Sequence, residues 1–168
     1  DPVGAGATRL RTETALLLLE EVKPTISRGN ASEILSLAAA GGATKGVDST
    51  RGVEEAREAA IAIAKDSGAL VVVTGPEDFI TDGERRVRLA NGHPLMSRVT
   101  GTGCVCSALV GAFAAVQPDP LLASIGALAV YGIAGEMAAE GDPGPGSFRT
   151  RLIDALDEIT PERVRQQA

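Results

Sequence analysis

The strongest constraint on the fold is a short, continuous apolar run at residues 69–74, which reads Ala-Leu-Val-Val-Val-Thr and lies between two glycines. A valine-rich run of this length is typical of a strand that is buried on both faces of a sheet. A helical pattern precedes it, because apolar residues recur at a 3.6-residue period over residues 53–67. A helix followed by a fully buried strand favours an α/β layered domain.

The same kind of pattern predicts elements along the rest of the chain. Helices are expected at residues 12–22, 31–40, 102–116, 120–139 and 147–158, with a short amphipathic segment from 161. Thr12, Asn30 and Ser147 are the expected helix caps. Strands are expected at 25–27 and in a hairpin around Asp82-Gly83, and residues 43–50 are expected to form a loop. We therefore expect a single domain over residues 1–168.

Composition and charge argue against several functional classes. The net charge is −6, and the densest basic run, around Arg85 and Arg86, is typical of a solvated hairpin edge, so no nucleic-acid partner is expected. The longest uncharged run, residues 120–135, is shorter than the roughly 18 apolar residues of a membrane span, which favours a buried helix and no membrane contact. Two cysteines make no disulfide framework, and no leader is recognised, so a cytoplasmic location is expected.

A Gly-Thr-Gly turn at residues 101–103 leads into a long apolar helix, with Cys104 on its first turn. Glycines let backbone amides approach an anion, and a helix N-terminus presents free N–H groups and a positive dipole end. The turn suits a phosphate or the charge that develops during its transfer. A tight turn without a ligand remains the alternative. The position favours a thiolate at Cys104, whereas Cys106 faces another side of the helix and is expected to pack in the interior.

A second candidate site lies where the first strand ends. Arg28 would bind a phosphate there, and Glu33 would bind a metal-bound water. Asn30 with Glu33 is also close to a capping box, which explains the helix start without a ligand, and both interpretations can hold. Thr74 ends the buried strand, where open α/β sheets bind ligands. Asp1 could add a metal ligand, but alone it is one exposed carboxylate among many.

Six stretches, in this order and spacing, resemble the hydroxyethylthiazole kinases of the ribokinase-like superfamily: DPVGAGATRLRTE, ISRGNASEI, KGVD, VVVTGPEDFITDG, NGHPLMSRVTGTGC and GPGSF. Their joint occurrence is specific, although each alone is weak. The resemblance implies a ribokinase-like three-layer αβα sandwich, of which this chain would hold the C-terminal portion of the sheet and its helices. Chains of that family begin well before the first stretch, so the domain is expected to be incomplete at its amino terminus.

The resemblance also implies an activity. The γ-phosphoryl group of ATP would be transferred to the hydroxyl of 4-methyl-5-(2-hydroxyethyl)thiazole in thiamine salvage, with Mg²⁺ as cofactor. Arg28 and Thr74 match positions that contact ATP. Asn30 and Glu33 match the superfamily's Mg²⁺/phosphate motif, with Asp1 as a companion metal ligand.

For the turn, the resemblance implies an anion hole formed by Gly101, Thr102, Gly103 and Cys104. Gly101 matches a substrate contact, and Cys104 stands where most ribokinase-like enzymes carry an Asp base. Members of the family are homotrimers whose substrate pocket lies between subunits. Two alternatives remain open: a kinase of another small alcohol such as a hydroxymethylpyrimidine, against which the Cys in place of Asp argues, and a non-catalytic nucleotide-binding module.

Overall fold

The computed structural model describes residues 1–42 and 52–167. The expected loop at residues 43–50, with the Lys-Gly-Val-Asp stretch, lies outside the described residues. The chain divides into two compact units, Asp1–Arg88 and Leu89–Ala168.

The first unit is built on a four-stranded sheet in the order β1-β2-β3-β4. Its elements are α1 (Arg9–Leu17), continued by a π-helical turn (Leu18–Val22), then β1 (Ile26–Asn30), α2 (Ala31–Ala40), α3 (Gly52–Ser67), β2 (Leu70–Thr74), β3 (Asp78–Thr81) and β4 (Arg86–Leu89). β1 and β2 are parallel, whereas β3 returns antiparallel to β2. The strands of the hairpin expected around Asp82-Gly83 are β3 and β4, which are hydrogen-bonded neighbours in the sheet. The strand predicted from the apolar run at residues 69–74 is confirmed as β2, and the first four residues of β2 are buried.

The core of this unit lies between the sheet and helices α2 and α3. The alanine-rich stripe of α3 that the sequence indicated is buried, and small side chains let the helix lie close to the strands. The principal core residues are Ile34, Leu37, Ala38, Ala56, Ala59, Ala60, Ile63, Ala64, Val71, Val73 and Phe79.

Two boundaries in this unit differ from the sequence prediction. Helix α1 begins at Arg9, because the hydroxyl of Thr8 accepts the N–H of Arg11 and caps the helix earlier than expected. Thr12 is therefore not the cap; its hydroxyl accepts the N–H of Gly6 and donates to the Thr8 carbonyl. Strand β1 extends to Asn30 instead of ending at residue 27, because parallel pairing with β2 continues to its end.

The second unit is helical and centred on α5. Its elements are a 3₁₀ helix (Pro94–Arg98), α4 (Thr102–Ala114), α5 (Pro120–Ala139), α6 (Pro145–Glu158) and α7 (Pro161–Gln167). The predicted cap at Ser147 is wrong: α6 begins at Pro145 after Gly144, since proline is well suited to the first helical position.

Helix α5 is the one helix, among the described residues, that is long and apolar enough to cross a membrane. Over its most apolar 18 residues, 67% are buried within the chain, and the core helix of a globular protein can be equally long and apolar. This burial agrees with the buried helix expected from the sequence.

Candidate functional site

Arg28 is the centre of a polar cluster in the first unit. Its Nη1 donates to Asp1 Oδ2 at 3.0 Å, and its Nη2 donates to Thr74 Oγ1 at 2.9 Å. The side chains of Arg28 and Asp1 are only 11% and 15% exposed. The Asp1 carboxylate is therefore largely shielded and not freely exposed as the sequence suggested. It supplies the compensating charge that a shielded guanidinium requires.

The parallel register explains why residues far apart in sequence meet here. Asn30 of β1 pairs with Thr74 of β2, so both strands end side by side at the carboxyl edge of the sheet. The Thr74 hydroxyl also lies 3.4 Å from the Gly29 carbonyl oxygen. Open α/β sheets bind ligands at this edge.

Glu33 is buried, and both of its carboxylate oxygens accept backbone N–H groups. Oε2 accepts the N–H of Asn30 at 2.8 Å, and Asn30 Oδ1 accepts the N–H of Glu33 at 3.0 Å, which confirms the capping box. Oε1 accepts the N–H of Gly4 at 2.9 Å, and Gly4 has φ +73°. Glu33 thus ties the glycine-rich amino-terminal loop to the start of α2.

The carboxylates of Glu33 and Asp1 suit a magnesium ion that is also bound by substrate phosphates better than one that is enclosed by protein ligands alone. Among the described residues, no three His, Cys, Asp or Glu side chains lie close enough to enclose a metal ion. Mg²⁺ in kinases commonly takes one or two carboxylates, several waters and substrate phosphates. Glu33 and Asp1 keep lone pairs beside their present hydrogen bonds, so they suit that role.

Asp78, at the start of β3, is a polar group that the sequence reasoning missed. Its Oδ1 accepts the N–H of Gly75 at 2.9 Å and closes the turn that follows Thr74. Burial raises the pKa of Asp78 to about 6, although the Gly75 hydrogen bond and the Arg28 charge act in the opposite direction. The available signal was an acidic residue four positions after the end of the buried strand, but the burial of its carboxyl is set by tertiary packing.

Replacing Asp78 by asparagine is expected to stabilise the chain above pH 6. An amide can still accept the Gly75 N–H, but it avoids the burial of a charge. Between about pH 4 and 6 the carboxyl is protonated when folded and ionised when unfolded, so the wild type loses stability as the pH rises. After allowance for partial solvation, we expect the free energy of unfolding of Asp78→Asn to exceed that of wild type by about 1–2 kcal/mol at pH 7.5. The difference should disappear near pH 4.

Urea unfolding of wild type and Asp78→Asn at pH 4.5 and 7.5 measures this difference directly. Equal stabilities at pH 7.5, or a difference that does not change with pH, would contradict the assignment of a destabilising buried charge.

The turn before α4 belongs to the second unit. Gly101 has φ +99° and ψ −12° at the N-cap, a conformation that strains residues with a Cβ. An added Cβ would meet nothing within 4 Å, so the glycine serves the backbone conformation and not close packing. No side chain caps α4 in the part of the chain that the structure describes. The helix therefore presents backbone N–H groups at its start.

Within this turn, Thr102 differs from its neighbours because it is held from three directions. Its hydroxyl lies 2.8 Å from the Met96 carbonyl oxygen and 3.0 Å from that of Val99, and its own carbonyl accepts the hydroxyl of Tyr131 at 2.7 Å. The N–H of Thr102 also faces Val99, at 3.5 Å. The N–H groups of Gly103 and Cys104 follow in the first turn of α4, where a helix leaves its N–H groups without an intrahelical acceptor.

The two cysteines have different environments. Cys104 is exposed on the first turn of α4, whereas Cys106 is buried. The predicted packing role of Cys106 is confirmed. The exposed position of Cys104 leaves its thiol accessible.

Comparison with known proteins places these features in a family. The sequence model of the hydroxyethylthiazole kinase family matches residues 1–162. The chain is 49% identical over 166 residues to a hydroxyethylthiazole kinase of Desulfotalea psychrophila and 52% identical over 168 residues to one of Granulibacter bethesdensis. These alignments cover 99% and 100% of this chain and 61% of each relative.

A solved structure supports the same relationship. The hydroxyethylthiazole kinase protein of Pyrococcus horikoshii OT3 matches with a TM-score of 0.87 and 41% identity, over 98% of this chain and 61% of that one. The ribokinase-like α/β fold expected from the sequence is thereby confirmed. The chain spans about three fifths of the length of these relatives, and it belongs to the hydroxyethylthiazole kinase family.

Proposed function

We propose that the protein containing this chain transfers the γ-phosphoryl group of ATP to the primary hydroxyl of 4-methyl-5-(2-hydroxyethyl)thiazole. The reaction would serve thiamine salvage in the cytoplasm. The observation that carries the proposal is the family match over residues 1–162. Within the matched residues, Arg28 donates to Thr74 at the carboxyl edge of the sheet.

The first unit is proposed to hold the nucleotide. Arg28 would neutralise phosphate charge with a planar donor group already oriented by Asp1 and Thr74. Asn30 fixes the start of α2, and Glu33 with Asp1 would hold Mg²⁺ together with the phosphates of ATP. When bound, the metal would supply positive charge that neutralises the phosphates.

The second unit is proposed to stabilise the transferred group. The alcohol oxygen forms a bond to the γ-phosphorus while the bond from that phosphorus to the β–γ bridging oxygen breaks, and ADP leaves. The amides of Gly103 and Cys104 would donate to the equatorial oxygens of the transferred group, and Gly101 would contact the thiazole alcohol. Cys104 would orient the hydroxyl and accept its proton late in the reaction, since a loose transition state needs no strong base.

Binding and turnover are the test. ATP binding is measured by calorimetry on the 168-residue chain and on the full-length gene product, followed by product formation with the thiazole alcohol and with hydroxymethylpyrimidine. Turnover with the thiazole alcohol at the higher kcat/KM is expected for the full-length gene product. A higher kcat/KM for hydroxymethylpyrimidine, or no ATP binding by the full-length gene product, would refute the proposal.

The same experiment tests a non-catalytic role, which is the alternative for a chain that covers 61% of the length of these relatives. ATP binding without turnover in both proteins would favour a nucleotide-binding module.

The homotrimer is likewise a proposal that rests on the resemblance, and the mass of the full-length gene product in solution tests it.

A further inference from the structure

We propose that Tyr131 of α5 is a positioning residue for phosphoryl transfer, because it orients the amide of Gly103. The inference rests on the proposed function of the turn at residues 101–104. Tyr131 itself would touch neither ATP nor the alcohol.

The covalent geometry of one peptide group links the two residues. The hydroxyl of Tyr131 donates to the carbonyl oxygen of Thr102 at 2.7 Å, the usual length of an O–H···O hydrogen bond. That oxygen and the N–H of Gly103 belong to the same planar peptide unit and point in opposite directions. Fixing the oxygen therefore fixes the direction in which the Gly103 N–H points.

The hydrogen bond also changes the donor strength of that amide. A carbonyl that accepts a hydrogen bond is polarised, and its peptide N–H becomes a better donor, by about 10–30% per bond. The Thr102 carbonyl is already the expected acceptor of the next turn of α4, so the Tyr131 contact is additional to ordinary helix bonding. A helix start does not need it.

The surrounding contacts show that α5 holds the whole segment leading to the turn. Gly132 and Gly135 lie beside Tyr131 in sequence, and the segment packs directly on their Cα atoms. A Cβ at Gly132 would lie 2.6 Å from the Cβ of Asn91, and one at Gly135 would lie 2.5 Å from the sulfur of Met96.

Two hydrogen bonds complete this support. Glu136 accepts the N–H of Gly92 at 2.8 Å, and the Thr102 hydroxyl reaches back to the Met96 carbonyl. One face of α5 thus fixes both the segment before the turn and the first peptide of α4.

A buried tyrosine hydroxyl needs some acceptor, so a purely structural role is the competing explanation. Tyr131→Phe separates the two, because Tyr131 is 4% exposed and phenylalanine keeps the packing of the ring. The Thr102 carbonyl keeps its helical partner, so the fold should survive.

In the full-length gene product, Tyr131→Phe is expected to lower kcat about 5- to 20-fold, less than the 10²–10³-fold loss typical when such a donor is removed. The KM for ATP should stay within twofold. Inhibition by ADP with aluminium fluoride, which resembles the transferring phosphoryl group, should weaken by the same factor as kcat. The melting temperature should change little.

Ser97→Ala is the matched control, since it removes another hydroxyl-to-carbonyl hydrogen bond of 2.8 Å from the same segment without touching the turn. Its kcat should stay within twofold of wild type. A Tyr131→Phe kcat within twofold of an active wild type, or equal losses of kcat in both variants, would overturn the inference. An inactive wild type would instead refute the proposed function, and with it the role assigned to Tyr131.

Discussion

Replacing Cys104 by alanine is expected to lower kcat by up to about 10²–10⁴-fold, the range associated with a positioned proton acceptor. The thiol is exposed on the first turn of α4, so its removal leaves no cavity in the core. The KM for ATP should remain nearly unchanged, because the proposed contact of Cys104 is with the alcohol. Steady-state kinetics of the full-length gene product measure both quantities.

Two further variants separate chemistry from packing. Cys104→Asp should retain activity, since a carboxylate can also orient the hydroxyl and accept its proton. Cys106→Ala is the matched control: this buried thiol is two residues away, so its loss should lower stability by about 1–2 kcal/mol and leave kcat nearly intact. A Cys104→Ala kcat within about twofold of wild type would rule out proton acceptance. Loss of activity in Cys104→Asp would favour a packing role for the thiol.

The sequence predicted most of the fold because its local signals agree with its tertiary contacts. The apolar run of β2 and the stripe of α3 require burial, and Asn30 with Glu33 specifies where α2 starts. The errors in helix starts came where two local signals competed. Thr8 and Thr12 can both cap a helix, and the structure uses Thr8 because its hydroxyl reaches the N–H of Arg11.

The candidate site was less predictable, because it depends on strand register and burial. Hydrophobic pattern predicts that β1 and β2 are strands, but not that Asn30 pairs with Thr74 and so brings Arg28 to the Thr74 hydroxyl. The ion pair with Asp1 depends on how the amino-terminal loop folds back, and no periodicity encodes that.

Burial accounts for the remaining omissions. Asp78 is distinguished by its desolvation, and Tyr131 by the hydrogen bond from its hydroxyl to the Thr102 carbonyl. A tyrosine in an apolar helix is ordinary in sequence, and its hydrogen-bond partner, 29 positions away, is set by helix packing.

Replacing Arg28 by alanine is expected to raise the Kd for ATP by about 10²–10³-fold. Charge-assisted hydrogen bonds to phosphate are strong, and the loss of one partner of a shielded charge pair commonly costs about 2–5 kcal/mol. At about 1.4 kcal/mol per tenfold change, that range includes the expected effect. Calorimetry with ATP on the full-length gene product measures it, and the melting temperature shows whether the variant folds.

Arg28→Lys sharpens the test, because it retains the charge but not the planar fork that reaches Asp1 and Thr74 together. An ATP affinity between those of wild type and Arg28→Ala is therefore expected. Arg86→Ala is the matched control, since it removes an exposed arginine from β4 and should leave ATP affinity unchanged. If charge alone matters, Arg28→Lys will bind ATP as tightly as wild type does. If Arg28 only supports the fold, Arg28→Ala will bind ATP within about threefold of wild type once its melting temperature shows that it is folded.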